Sequence, residues 1–112
     1  MASIRQEKIN NLLKRELAII FQQESRSIFG GKFITVTEVN VTSDLGLAKT
    51  YLSILASKDE DADLKMIEDK NWKIRKILAS RVGKQLRKIP ELKFYIDDSL
   101  QRYEEIERIL KE

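Results

Sequence analysis

The sequence predicts an α+β domain of order α-β-β-α-β-α, a three-stranded mixed sheet with helices packed on it, and three observations carry that prediction. Near the start, Ile9, Leu12, Leu13, Leu17, Ile20 and Phe21 recur at three- and four-residue spacing, as on one face of a helix. Two stretches rich in β-branched residues, KFITVTEVNVT (Lys32–Thr42) and LAKTYLSILA (Leu47–Ala56), flank the turn signal Ser43-Asp44 with Gly46, as in a hairpin. Beyond Pro90, Leu92, Phe94 and Ile96 alternate with Lys93, Tyr95 and Asp97, the period of a third strand.

Each element has its own signals. Ser3 and Gln6 have capping-box spacing, so helix one is expected over residues 3–25. Gly30 and Gly31 interrupt it before strand one. In strand two, Ala48, Leu52, Ile54 and Ala56 share one face, and Leu47, Lys49, Tyr51 and Ser53 the other. Lys58–Asp63 reads as an acidic surface loop, with Asp61 or Asp63 as the N-cap of a helical segment that runs to Lys88 and is stopped by Pro90. That segment would be roughly 42 Å long in a globule about 35 Å across, so a bend is expected. Leu64, Ile67, Ile74, Leu78 and Val82 stay in phase throughout, and Asn71, which tolerates left-handed geometry, is the best local candidate for the bend. Asp98 or Ser99 can cap a last helix carrying Leu100, Tyr103, Ile106, Ile109 and Leu110. The hairpin makes strands one and two antiparallel, and a right-handed crossover makes strands two and three parallel.

Composition bounds the function. The chain's 112 residues suit one domain, 1–112, expected to be a monomer. It contains neither cysteine nor histidine, which removes disulfides, the commonest transition-metal ligands and the usual acid/base catalyst at neutral pH. Adjacent acids such as Asp97-Asp98 and Glu104-Glu105 point apart on strands and helices, and no phosphate-loop, dinucleotide or EF-hand spacing occurs. No enzyme activity, cofactor or small-molecule substrate is expected. No apolar run approaches the ~20 residues that cross a bilayer, and the first residues offer no signal-peptide apolar region, so a cytoplasmic location is expected.

The net charge of +3 conceals an uneven distribution. Lys70–Lys88 holds eight basic residues and no acid, while acids crowd both flanks, from Asp59 to Asp69 and from Glu91 onward. Such a field draws a polyanion to one face. On a helical wheel, Lys70, Lys73, Lys76, Arg81, Lys84, Arg87 and Lys88 fall within about 140°, opposite an apolar stripe of Ile74, Leu78, Ala79, Val82, Leu86 and Ile89. Solvated helices normally mix Glu with Lys, so the missing acids favour phosphate contact by these seven residues over a plain solvent-facing surface. Ser80 and Gly83 on the same side would permit close approach, and a glycine kept inside a helix hints at close contact with something. Arg75 falls inside the apolar stripe and needs a partner, for which Asp44 or Asp97 is plausible, so a structural ion pair is favoured over RNA contact. Ile77 lies among the lysines, as a local contact, a consequence of the bend or a patch for a partner. Tyr51, Tyr95 and Tyr103 are expected to pack in the core or at its edge; Trp72, between Lys70 and Lys73, is the aromatic with some claim to stacking on a base.

The series ITVTEVNVTSDLGLAKTYLSIL (Ile34–Leu55) and KIRKILASRVGKQLRKIPELKFYIDDSLQRYEEI (Lys73–Ile106) resembles the ribosome-binding factor A family. Its most specific parts are Asp44-Leu45 with Ala48, Ile74-Arg75, Arg87 with Pro90-Glu91-Leu92, and Phe94 with Asp97 and Ser99. The resemblance implies a type II KH-like fold and a non-enzymatic cytoplasmic factor. Such a factor binds the small ribosomal subunit and its rRNA precursor during late assembly and rRNA processing, often in connection with cold adaptation. It also implies that RNA meets the surface around a helix-kink-helix, here the segment containing Lys70–Lys88. The family's kink commonly uses Ala-x-Gly, where this chain reads Lys70-Asn71-Trp72, and the GxxG loop of KH domains proper is absent. The residues alone also admit an interaction module whose basic helix binds an acidic protein or another RNA. Membrane-surface binding is disfavoured because the basic face lacks a large aromatic rim.

Overall fold

The computed structural model describes residues 3–97, in the order α1 (Ile4–Gln23), β1 (Ile34–Val41), β2 (Leu47–Ile54), α2 (Glu60–Asp69), α3 (Asn71–Val82) and β3 (Glu91–Ile96). The helix expected from Asp98 or Ser99 lies outside the described residues. The strands form one sheet in the order β1-β2-β3. As expected, β1 runs antiparallel to β2, from Ile34 opposite Ile54 to Val41 opposite Ala48, and β2 runs parallel to β3, with Thr50 beside Phe94. A bulge at Thr37 shifts the β1 register between Val36 and Glu38, and the Thr37 hydroxyl donates to the Asp97 carboxylate at 2.5 Å.

One face of the sheet is buried and the other is open. Val36, Val39, Ala48, Leu52, Leu92 and Phe94 meet Leu13, Leu17, Phe21, Ile74, Leu78 and Val82 from the helices, and Phe21 packs edge-on to Phe94 with ring centroids 5.8 Å apart. On the open face, Tyr51 and Tyr95 stack on each other at 5.3 Å.

Helix-borne polar side chains cover part of both edges of this sheet. Strand β1 is one edge, and there Asn10 accepts from the Val41 amide at 2.8 Å while Gln6 donates to the Val41 carbonyl at 3.3 Å. Gln6 does this from within the capping box, in which Ser3 and Gln6 exchange side-chain to backbone hydrogen bonds at 3.0 and 3.1 Å. Strand β3 is the other edge, and there Glu68 accepts from the Phe94 amide at 2.8 Å while Asn71 donates to the Leu92 carbonyl at 2.7 Å. These contacts satisfy backbone groups that would otherwise invite pairing with another chain.

Glu68 and Asn71 straddle Lys70, where the long helical segment breaks in two. The expected bend is therefore present one residue before Asn71, at Lys70 (φ −100°, ψ 8°), and Asn71 holds it by side-chain hydrogen bonds instead of left-handed backbone.

Three other expectations are corrected. Asp59, and neither Asp61 nor Asp63, caps α2, its carboxylate accepting from the Ala62 amide at 3.1 Å. Asp63 is instead buried, accepting from the Ser57 hydroxyl at 2.6 Å and lying 3.3 Å from the Lys32 ammonium. The second half of the segment ends at Val82, not Lys88. Leu86 and Ile89 remain partly buried against the core, so the apolar phase continues although the helix has stopped.

Gly83 sits at this helix end, and a Cβ there would lie 2.6 Å from the Ala79 carbonyl oxygen. The close contact that the glycine hints at is thus with its own helix. Gly83→Ala is expected to lower stability by about 1 kcal/mol or more, where helix propensity alone would raise it by a similar amount; urea unfolding decides the sign.

The Ser57 hydroxyl, helped by Lys32, holds the Asp63 carboxyl below the usual carboxylate range. A depressed native pKa gives stability that is complete above the unfolded value, near ~3.9, and lost as pH falls through the native one. Ser57→Ala is expected to move the Asp63 titration, followed by NMR, upward, and to shrink the loss of stability in acid.

Candidate nucleic-acid interface

The break at Lys70 is also a boundary of charge. Helix α2 carries Glu60, Asp61, Asp63, Glu68 and Asp69 against Lys65, whereas α3 carries Lys73, Arg75, Lys76 and Arg81 with no acid. Because Ile74, Leu78 and Val82 are fully buried, the opposite face of α3 presents Lys73, Lys76 and Ser80 to solvent. Lys70 is exposed at the break itself, Lys84 in the turn after α3, and Arg87 and Lys88 in the strap that leads to β3. Among the described residues, none of these six cations has an acidic partner within 4 Å, the ion pairs being Arg15–Glu16, Lys32–Asp63 and Arg81–Glu16.

Arg81 stands apart from the other six. Its Nε donates to Glu16 on α1 at 2.6 Å, with the Glu16 side chain only 13% exposed. This guanidinium ties α3 to α1. Arg75 is structural, as its place in the apolar stripe implies, but through partners other than Asp44 or Asp97. Its Nη2 donates to the Ile89 carbonyl at 2.7 Å and its Nε to the Pro90 carbonyl at 3.2 Å. It thereby anchors the strap carrying Arg87 and Lys88, and a planar fork of donors suits two neighbouring carbonyls. Ile77 packs partly buried against the core, which is the local-contact alternative for that residue.

Trp72 does not pack in the core. It is 67% exposed on the first turn of α3 and shares a shallow depression with Lys76, Ala79 and Ile89. An exposed indole beside lysines offers a stacking surface for a base or a guanidinium.

Two cations of this surface lie far away in sequence. The strap faces the first turns of α1 across a cleft of about 630 Å³, which Arg5 and Lys8 line from one side and Arg87 and Lys88 from the other. The β1–β2 turn closes its end with Asp44 and Leu45. The Thr42 hydroxyl, at 2.6 Å, and the Gly46 amide, at 3.0 Å, hold the Asp44 carboxyl below its usual pKa. Exposed cations three residues apart near the start of a helix were visible in the sequence, but nothing in it placed them opposite Lys88. No cluster of acids that could hold a metal occurs among the described residues, and no helix there is long and apolar enough to cross a membrane.

With this geometry in place, known proteins supply the family context. The family model described as ribosome-binding factor A matches residues 5–110. A relative of that name from Chlorobium phaeobacteroides is 44% identical over 98% of this chain and 94% of its own. One from Cytophaga hutchinsonii is 46% identical over 89% of this chain and 75% of its own. The crystal structure of ribosome-binding factor A from Thermus thermophilus superposes with a TM-score of 0.68 at 23% identity, covering 81% of this chain and 94% of that one, and shares the KH-like α+β fold. A homology model of the Thermus thermophilus factor, fitted into a cryo-EM map of its complex with the 30S subunit, superposes with a TM-score of 0.61 at 28% identity, covering 77% of this chain and 88% of that one.

The Arg81–Glu16 pair is expected to couple α1 to α3 by about 0.5–1 kcal/mol, the upper end of the range for partly exposed pairs. Urea unfolding of Arg81→Ala, Glu16→Ala and the double variant measures this coupling, and additive effects would assign Arg81 to the solvent-facing set.

Proposed function

This chain belongs to the ribosome-binding factor A family, and from that premise we propose that it is a maturation factor that binds the small ribosomal subunit and its rRNA precursor. One observation carries the assignment of the surface: Lys70, Lys73, Lys76, Lys84, Arg87 and Lys88 lie exposed, with no acidic partner within 4 Å among the described residues, at or beyond a kink that separates them from an acidic helix. Phosphates gain most from cations whose charge is not already neutralised. Arg81, held by Glu16, drops out of the RNA-contacting set.

The Thermus thermophilus relative fitted into a 30S complex supports the choice of subunit. Without a GxxG loop, the chain docks by shape and by backbone contact rather than by gripping four nucleotides in sequence. Its work is binding, not catalysis. It acts as a monomeric single domain in the cytoplasm, during late assembly and rRNA processing, with a role in cold adaptation.

Charge reversal at Lys73, Lys76 and Lys84 is expected to abolish co-sedimentation with small subunits while the far-UV circular dichroism stays unchanged. For single-stranded contacts, wild-type affinity should fall by about 0.7 log units per log unit of salt for each phosphate held. Undiminished co-sedimentation of the folded variant would refute the proposal. A pull-down that survives RNase would point instead to an acidic protein partner.

A further inference from the structure

We propose that the cleft between α1, the β1–β2 turn and the strap after α3 receives an unpaired nucleotide of the bound RNA. Its phosphates lie on Arg5, Lys8, Arg87 and Lys88, and its base lies over Leu45 and Leu86. The inference rests on the RNA-binding function proposed above and adds to it a second site, away from the exposed face of α3.

Size and lining both fit this occupant. At about 630 Å³ the cleft falls within the range of small-molecule sites, roughly 300–1,000 Å³, and a mononucleotide unit is small enough to enter. Four cations from two remote segments converge on it, and all four are exposed and free of ion pairs within 4 Å among the described residues. Two phosphate-binding walls with an apolar floor suit a nucleotide better than a bare phosphate run, which would have no use for the floor.

The β1–β2 turn sets the orientation. Among the described residues Asp44 is the only acid lining the cleft, and it repels a phosphate from the turn end. Its Oδ1 is occupied by Thr42 and Gly46, whereas Oδ2 has no hydrogen bond among the described residues. An unpaired base with an exocyclic amino group can donate to that oxygen, as cytosine does to acidic side chains elsewhere. Leu45 beside it adopts φ 59°, a left-handed conformation disfavoured for a branched side chain, and this geometry sets an apolar surface at the cleft instead of the glycine that such a turn would prefer.

The test uses the full chain and small ribosomal subunits. Arg5→Glu with Lys8→Glu places acids in the first turns of α1, where the helix dipole favours them, so folding is expected to persist. Affinity should drop about tenfold and the salt dependence by about 0.7 for each cation reversed. If binding is unchanged while reversal of Lys73, Lys76 and Lys84 abolishes it, the cleft proposal falls and the function above stands. If neither set matters, both fall. Independently, a photoreactive side chain at Ser43, on the rim, should crosslink to an unpaired adenine, cytosine or guanine of the rRNA. Crosslinks confined to base-paired RNA, to uracil or to ribosomal protein would overturn the proposal.

Discussion

A three-stranded sheet has one interior strand and two edges, and in this chain helix side chains bond to backbone groups of both. Gln6 and Asn10 reach from α1 to Val41, and Glu68 and Asn71 reach from the α2–α3 junction to Leu92 and Phe94. An edge amide or carbonyl left dry costs about as much as a lost hydrogen bond, so these four side chains fix where each helix must lie. The second closure has the larger consequence. Because Glu68 precedes the break and Asn71 follows it, satisfying β3 also fixes the angle at Lys70. The kink coincides with this edge contact, at Lys70-Asn71-Trp72.

That angle organises the charge. Acids remain on α2 and cations on α3 and the strap, and the fold removes from the cationic set those it needs for itself. Arg81 goes to Glu16, and Arg75 goes to the carbonyls of Ile89 and Pro90. The cations left without ion-pair partners among the described residues form a surface that extends past α3 to the first turns of α1. The proposed polyanion-binding face is thus defined partly by subtraction.

Local signals in the sequence were strong where the interaction itself is local. The Ser3–Gln6 box, the hairpin and the alternation in β3 all involve near neighbours, and each is legible. The bend was legible from length, and its site near Asn71 from residue type. The end of α3 was not, because Leu86 and Ile89 keep contacting the core after the helix stops, and burial preserves a helical phase that the backbone has abandoned. The N-cap of α2 is ambiguous in the sequence because three aspartates within five residues all qualify; only the fold distinguishes Asp59, at the helix end, from Asp63, drawn under Ser57 and Lys32. The pairing of Arg81 with Glu16 is not legible either, because the two lie 65 residues apart. The placement of Arg5 and Lys8 opposite Arg87 and Lys88 is not legible for the same reason, since a cleft between remote segments has no sequence period.

The pin at the helix junction can be tested directly by combining hydrogen exchange at the Phe94 amide with small-subunit affinity in Asn71→Ala. If the junction aims the basic surface, the Phe94 amide exchanges faster, the Leu52 amide on the interior strand keeps its protection, and affinity falls several-fold although Asn71 carries no charge. Faster exchange at Phe94 with undiminished affinity would contradict the link between edge closure and the orientation of the cations.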